Sequence, residues 1–455
     1  MLIDFSVENF RSFGDEQTLS MIASNKLREH AEHLIPIRDT GKSSLRAGVV
    51  YGANAAGKSN LVRAMEFARS MIAGNGSLKR LAVSQFRFDD AKGPTSFGFR
   101  FLVNDRVFNY GFSANAESVV EEWLDATSDS GREEVEVFSR DTAGVRIGNL
   151  QLFREIEGDK SSAALGALKQ LGARHDQLLL NKIVDLDPAH RGQLLHCAAW
   201  WFQDCLAIVQ PQSQYGALIE FLDEDSRFRD FAGAFLANVG TGVSAFHVER
   251  ANISVDLLPK IMQGQLDEET PFGSAGMSLQ LNPDDPKQVI RRNLYAEHRI
   301  REGLFSLPFS DESDGTQRCL NLLPALYRLR NRCSVFVVDE IDRSLHPLLC
   351  HEILKFFIDS CPGACQQMIV TTHETHLLDL ELLRRDEIWF VEKDNAQQSR
   401  LYSLSNLKVR NDVRIEKGYL HGRFGGVPFI GDQERLKDLI ECPTGLDQDA
   451  TQTAP

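Results

Sequence analysis

The densest chemistry in the sequence is an eight-residue run, Gly52-Ala53-Asn54-Ala55-Ala56-Gly57-Lys58-Ser59, of the form G-x-x-x-x-G-K-S. Glycines at its two ends let the backbone N–H groups turn inward around phosphate oxygens. In that pattern Lys58 reaches the β/γ-phosphates and the Ser59 hydroxyl serves a Mg2+ ion. Asn54, Ala55 and Ala56 supply the body of the cradle. Asn60 opens the helix that follows, whose positive N-terminal end favours an anion.

Three further constellations lie downstream. Ser334-Val335-Phe336-Val337-Val338-Asp339-Glu340 is an apolar run ending in two carboxylates. Asp339 can hold Mg2+ through its water shell, and Glu340 can orient or deprotonate an attacking water. Glu312-Ser313-Asp314-Gly315-Thr316-Gln317-Arg318 sets a hydroxyl and a glycine amide at the start of a helix, 26 residues before Asp339. Thr371-Thr372-His373 ends a strand 34 residues past Asp339, where the imidazole can hydrogen-bond a γ-phosphate. Alone, these segments read as an N-cap, a solvated acidic turn and a satisfied histidine. Their order behind a phosphate loop is what joins them.

The elements that must position these groups are legible from periodicity. Ile3, Phe5 and Val7 alternate with polar residues, as in a half-buried strand, and Asn9-Phe10-Arg11-Ser12-Phe13 follows as a turn. Val49-Val50-Tyr51 is a strand running into the loop, and Leu61, Ala64, Met65, Ala68, Met71 and Ile72 recur at helical spacing. Phe97 to Phe112 reads as a hairpin about Asn104-Asp105. Residues 150–235 look helical, with breaks at Asp187-Pro188 and Gln210-Pro211 and no sustained heptads, so no coiled-coil arm is expected. Residues 264–287 look like a polar loop. Val335–Val338 is apolar throughout, the mark of a strand buried on both faces. Met368–Val370 and Ile388–Val391 are further strands, and the polar tail from Pro443 is expected to be disordered.

The chain has 455 residues, 42% of them hydrophobic and 25% charged, which suits a large globular protein and excludes wholesale disorder. The net charge of −14 argues against a general polyanion binder. Absence of a long apolar run excludes a transmembrane helix, and the first residues lack the pattern of a secretion signal. The eight cysteines are scattered without zinc or thioredoxin spacing and read as reduced thiols of a cytoplasmic protein.

Phosphate loop, signature helix, Asp-Glu strand, the Ile341–Pro347 D-loop and switch histidine stand here in the order found in ABC-type ATPases of the RecF, SMC and OLD group. Asn9–Phe13 resembles the opening of those ATPase heads. Glu312–Arg318, Glu340–Pro347 and Tyr419-Leu420-His421-Gly422-Arg423-Phe424-Gly425-Gly426-Val427-Pro428 resemble the OLD-like branch of bacterial phage-defence and restriction-linked systems. The resemblance implies an α/β fold: an ABC-type P-loop ATPase head, a mixed sheet with flanking helices plus an antiparallel β subdomain, with a helical insertion. It divides the chain into an N-terminal ATPase lobe (1–150), a mainly helical insertion (151–300), a C-terminal ATPase lobe (301–430) and a tail (431–455). It implies ATP and Mg2+ as ligands. Glu340 and His373 are then catalytic, and Ser59 and Asp339 hold the metal. Arg11, Ser12, Gly52, Asn54, Ala55, Ala56, Gly57, Lys58, Ser59, Asn60, Ser313, Gly315 and Thr316 bind nucleotide. A head-to-tail homodimer would set Lys58 and Glu340 of one protomer against Ser313 and Gly315 of the other. The signature departs from the transporter form L-S-G-G-Q, with Asp314 for its first glycine and Thr316 for its glutamine. The Q-loop glutamine has no firm position; Gln85 is a candidate.

Other readings fare worse. His373-Glu374-Thr375-His376 is H-E-x-H, not the H-E-x-x-H of zinc proteases. No Glu plus Asp-x-Asp cluster follows Val391, so a fused Toprim nuclease is not expected. A RecF-like DNA-repair or maintenance ATPase is the main alternative: residues 287–332 hold nine Lys/Arg against five acids, a stretch read as a solvated helix face or part of the dimer surface. The reading favoured is an ATPase that senses and controls a separate effector, a nuclease or toxin, in antiviral defence.

Overall fold

The computed structural model describes residues 1–424 except 39, 89–92, 129–132, 154, 172–173, 185, 187–191, 212–216, 265, 267–271, 275, 302, 328–333, 361–364, 408–414 and 423. The expected tail 431–455 and most of 423–428 thus lie outside the described residues.

The chain opens with β1 (Leu2–Glu8), β2 (Gln17–Ser20), the hairpin β3 (Leu34–Ile37) and β4 (Lys42–Leu45), and then β5 (Ala47–Gly52). Helices α1 (Lys58–Ile72) and α2 (Leu81–Ser84) lead into a meander of β6 (Thr95–Val103), β7 (Arg106–Ala114), β8 (Val119–Thr127), β9 (Glu134–Asp141) and β10 (Gly144–Ile147). These strands form a seven-stranded antiparallel sheet in the order β10-β9-β8-β7-β6-β1-β2. The β6–β7 turn is Asn104-Asp105, both at positive φ (49° and 62°), the twist a two-residue hairpin demands. Phe97, Phe99 and Phe101 of β6 all face inward, as their alternation requires.

Next come α3 (Glu155–Leu171), α4 (Leu179–Val184), α5 (Gln193–Trp200), β11 (Leu206–Val209), α6 (Leu218–Glu224) and α7 (Ser226–Asn238). Beyond them lie β12 (Val243–Ser254), α8 (Lys260–Gln263), β13 (Phe272–Ser274), β14 (Met277–Asn282), β15 (Asp285–Ile300) and β16 (Gly303–Pro308). The chain then returns through α9 (Asp314–Tyr327), β17 (Val335–Val338), α10 (Pro347–Asp359), β18 (Gln367–Thr372), β19 (Ile388–Lys393), β20 (Ser399–Ser403) and α11 (Ile415–Leu420).

The central sheet has six strands in the order β11-β17-β18-β5-β19-β20. Its first five strands are mutually parallel and β20 closes the edge antiparallel. Alternate residues of these strands feed two different cores. Val50, Val335, Val337 and Ile369 pack toward α1, the antiparallel sheet and the helices after 155. Val49, Tyr51, Phe336, Val338 and Val370 pack toward α7, α9 and α10. Burial on both faces is why these strands read as unbroken apolar runs. This is the expected ABC-type P-loop architecture: a mixed sheet flanked by helices, with an antiparallel β subdomain.

Four expectations are corrected. The segment 151–300 is mainly helical only to Asn238, with the short α8 beyond it, and β11 inside it is a strand of the central sheet. From Val243 onward it is antiparallel sheet, so the polar "loop" at 264–287 holds β13, β14 and the start of β15. Further along β15 the alternation is masked by Arg292, which takes an inward position, buried against Asp223 (2.9 Å) and Gln280 (3.0 Å). The basic stretch is no solvated helix face among the described residues: Lys287, Arg291, Arg292 and Arg299 lie on a strand and Arg318 is buried in α9, while 328–332 fall outside the described residues. Finally, Cys365 is disulfide-bonded, unlike the free, buried Cys197, Cys205, Cys319 and Cys350. Among the described residues no helix is long and apolar enough to cross a membrane.

Candidate nucleotide site

Parallel strands β5, β17 and β18 all end at one edge of the central sheet, where ligands of open α/β sheets bind. β5 is buried along its whole length and stops at Gly52, where a Cβ would stand 2.4 Å from the Val391 carbonyl. The chain then turns through Ala55 (φ 64°) to Gly57 (φ 122°). A Cβ at Gly57 would lie 2.2 Å from Ser399 Oγ and 2.9 Å from Ser12 Oγ, so only glycine fits both the dihedral and the space. Asn54 and Ala55 are exposed at the loop tip, while Ala56 and Gly57 are buried beneath it. α1 begins at Lys58, with Ser59 and Asn60 half-buried in its first turn.

Lys58 is the electrostatic centre. It is 4% exposed, and its Nζ donates to the carbonyls of Gly52 (2.7 Å) and Ala53 (3.2 Å) and to His373 Nδ1 (3.2 Å). Burial pulls its pKa down to about 8, against the opposing pull of Asp342, Asp339 and Glu340. His373 accepts at Nδ1, which assigns its proton to Nε2; burial and the neighbouring ammonium hold it below the usual histidine range, in the neutral form.

The acidic pair sits where β17 ends. Asp339 is 2% exposed and accepts from Thr371 Oγ1 at 2.6 Å; the same hydroxyl accepts the Glu340 N–H at 2.8 Å. One threonine of β18 thus fixes both carboxyl-bearing residues. Glu340 is half-buried at φ 48°, a conformation costing about 1–3 kcal/mol that packing must enforce. Asp342 accepts the His373 N–H through Oδ2 (3.1 Å), while its buried Oδ1 has no partner. The hydroxyl of Ser59 and the carboxylates of Asp339 and Asp342 are hard oxygen donors, the chemistry that fits Mg2+.

Asn9–Phe13 packs against the loop. Asn60 Nδ2 donates to Ser12 Oγ (2.8 Å), and the Ser399 N–H donates to the Ser12 carbonyl (2.7 Å). The Ser399 hydroxyl donates to the Ala56 carbonyl (2.5 Å) and lies 2.8 Å from Ser12 Oγ. Arg11, at φ 53°, donates its N–H to Ser84 O. Burial, with Arg63 and Arg87 nearby, pulls its guanidinium below the usual range. That is a cationic rim beside the loop.

The signature residues stand apart from this assembly. Ser313 caps α9, its Oγ accepting the Thr316 N–H (3.2 Å) and lying 2.9 Å from Thr316 Oγ1. Ser313 is exposed and Thr316 is 5% exposed, so the threonine lies beneath the serine. A Cβ at Gly315 would come within 2.6 Å of the Ser344 carbonyl, so the start of α9 lies against the D-loop of its own chain. Ser313, Gly315 and Thr316 make no hydrogen bond to residues 52–60. Arg318, one turn further, links the two halves by donating to the carbonyls of Gln210 (2.9 Å) and Asp339 (3.0 Å).

Two residues of this edge escaped the sequence reading. Gln210 follows β11, whose Val209 carbonyl accepts the Asp339 N–H (2.9 Å), and its side chain donates to Glu66 of α1. It therefore stands beside the Asp-Glu strand end, a far better place for the missing glutamine than Gln85, whose amide donates to Gly93 O (3.2 Å). The signal was the apolar run Leu206–Val209 ending in Gln, which reads as a helix break. Ser399 had no signal, being a serine on an edge strand.

A family model described as "AAA domain, putative AbiEii toxin, Type IV TA system" matches residues 49–379. The chain belongs to this family. The matched span runs from β5 past His373 and so contains the phosphate loop, α9, Asp339 and Glu340. Membership makes the protein a P-loop ATPase of the AAA class, a family of nucleotide binders. Among solved structures, the SMC head domain from Thermotoga maritima is 12% identical, covering 90% of this chain and 99% of that chain with a TM-score of 0.38. An SMC head bound to the C-winged helix domain of ScpA is 12% identical, covering 88% and 97% with a TM-score of 0.41. The Smc head of Pyrococcus furiosus, with an extended coiled coil and bound to the C-terminal domain of ScpA, is 12% identical, covering 97% and 99% with a TM-score of 0.37. No curated protein sequence matches the chain.

Proposed function

We propose that this AAA-family protein binds Mg-ATP and hydrolyses it as a head-to-tail dimer of the OLD-like branch, and that its nucleotide state controls a separate nuclease or toxin in cytoplasmic antiviral defence. The observation that carries the ATPase reading is the convergence of Asp339, Glu340, Asp342 and His373 on Lys58 at the end of β5.

The loop amides from Asn54 to Ser59 and the first turn of α1 receive the β- and γ-phosphates. Lys58 exchanges its carbonyl and His373 contacts for phosphate oxygens, and the buried setting makes that charge-assisted bond strong. Ser59 and Asp339 would hold Mg2+, which would supply positive charge against the phosphates. Glu340, locked by Thr371, accepts the proton of the attacking water, and His373 presents Nε2–H to the γ-phosphate. Gln210 senses that centre from β11, and Arg11 and Ser12 flank the nucleotide on the far side of the loop.

At the N-terminus of the 14-residue α9, the exposed Ser313 and the half-buried Gly315 amide would meet the γ-phosphate of a partner protomer. Thr316 orients Ser313 from below rather than touching phosphate. ATP binding then closes the dimer and hydrolysis opens it, a switch driven by contacts only the γ-phosphate makes. The family's description, with its toxin–antitoxin setting, supports a place in bacterial conflict. The effector reading is favoured over a RecF/SMC-like DNA ATPase because Arg292 and Arg318 of the basic stretch are buried against acids and carbonyls.

Sizing with and without Mg-ATP tests the dimer: Ser313→Arg is expected to bind ATP yet stay monomeric. If it closes and hydrolyses normally, the trans-signature reading fails. Co-purification of a small nuclease- or toxin-like protein encoded beside this gene tests the effector role. Sub-micromolar duplex DNA binding without nucleotide at physiological salt would replace it with the DNA-repair reading.

A further inference from the structure

A second cluster of chemistry lies at the opposite edge of the central sheet, far from the phosphate loop. Its members are His30, Glu32, His33 and Glu387. The first three flank a short 3-10 turn, Ala31–His33, and Glu387 immediately precedes β19.

The hydrogen bonds of the two imidazoles fix which way their lone pairs face. His30 Nε2 lies 2.8 Å from the Leu380 carbonyl, which can only accept, so Nε2 carries the proton and Nδ1 is a lone pair. His33 Nδ1 lies 2.9 and 3.0 Å from the two oxygens of Glu387, and Oε2 of that carboxylate also accepts the Arg384 N–H at 2.8 Å. The proton of His33 is thereby held on Nδ1, leaving Nε2 as the lone pair. Both lone pairs face one carboxylate oxygen: Glu32 Oε1 is 3.3 Å from His30 Nδ1 and 3.8 Å from His33 Nε2. The three atoms lie within 4.8 Å of one another.

Three such atoms turned toward a common point form a pocket that can take a metal cation in place of a ring proton. We propose that His30 Nδ1, Glu32 Oε1 and His33 Nε2 bind a zinc ion, with Glu387 and the Leu380 carbonyl as the outer partners that orient the two rings. Donation of the remote ring N–H to a carboxylate or a backbone carbonyl is the arrangement that fixes metal-binding histidines. Two imidazoles and a carboxylate suit zinc, leaving a fourth, water-filled position of a tetrahedron. Bonds of about 2.1 Å place tetrahedral ligands roughly 3.4 Å apart, close to the two shorter separations here. The third separation, between the two imidazole nitrogens, closes by a shift of His30, whose side chain is 20% exposed, toward His33, which is held rigidly at 3%.

The outer partners of the site join its turn to distant segments. The His33 carbonyl accepts from the Arg46 N–H (3.0 Å) just before β5, and Glu387 opens β19, the neighbour of β5. The ion would thus lock the turn whose His33 is anchored at the base of the central sheet through Glu387 and Arg46. Its role is structural, separate from nucleotide chemistry.

The test uses the full-length protein stripped with EDTA and titrated with zinc against a chromophoric chelator, in excess Mg2+. One tightly held zinc per chain is expected, with an X-ray absorption edge showing nitrogen and oxygen neighbours and no sulfur. Glu32→Gln and His30→Asn, both at solvent-accessible positions, should weaken zinc on the order of 100-fold or more, since loss of an outer partner alone costs about 10–100-fold. ATP affinity of both variants should match the parent, which certifies their fold. Zinc uptake equal in parent and variants, a sulfur shell from the cysteines, or no retained zinc would each overturn the assignment.

Discussion

The phosphate-loop edge and the start of α9 are built in opposite ways. The loop is held by segments from across the sequence: Ser12, Val391 and Ser399 fill the space beside Gly52 and Gly57, and His373 engages Lys58. The signature serine is held by one local cap, Thr316 N–H to Ser313 Oγ, with Gly315 resting on Ser344. In one half Ala56, Gly57 and Lys58 are buried and tied within the chain; in the other Ser313 is exposed at a helix N-terminus. A site finished within one chain can bind ligand alone. An open half has only its ligand or a partner to complete it, and this contrast separates binding from closure.

The variants below break or sharpen that contrast. Glu340→Gln has the largest expected effect. The amide keeps the shape but cannot accept a proton, so turnover should fall about 10²- to 10⁴-fold while ATP binding is kept. The ATP-bound dimer should then accumulate on a sizing column; parental turnover would remove Glu340 from the catalytic role. Lys58→Ala strikes the finished half itself. Loss of its one buried ammonium should weaken ATP on the order of 10²-fold or more, read by nucleotide titration, and unchanged affinity would refute the loop assignment.

Ser399→Ala is milder and more diagnostic of pre-organisation. It removes the hydroxyl that ties Ala56 to Ser12, and a lost hydrogen bond of about 1 kcal/mol should weaken ATP roughly fivefold. Dimerisation at saturating ATP should be unchanged; a loss of closure instead would mean that the two halves are not independent. The smallest effect is a proton count. With its pKa near 8, Lys58 is half-charged at pH 8, and phosphate favours the charged form. Binding should therefore take up about 0.5 proton at pH 8, more at higher pH and none near pH 6.5. Calorimetry in buffers of different ionisation enthalpy checks the sign; proton release at pH 8 contradicts the burial of Lys58.

What the sequence determined by itself is what short contiguous runs encode. Gly52–Ser59 specifies its own geometry, because its glycines and the helix that follows are all within eight or so residues. The apolar run 335–338, buried on both faces, and the alternation of Phe97, Phe99 and Phe101 likewise announce their strands. Only the tertiary structure decided that β11 lies beside β17, which carries Gln210 to Asp339 across more than a hundred residues of chain. Only it decided that Ser399 packs under Gly57 and that His33 meets Glu387, partners separated by 354 positions. It also decided that the charged segment 285–300 is a long strand, since Arg292 sits inward and finds its acids on α6. Local patterns report dihedral preference and the face a residue buries, both set within a few residues. Which strands pair, and which polar side chain satisfies which, depends on contacts whose two ends carry no mark of each other in the sequence.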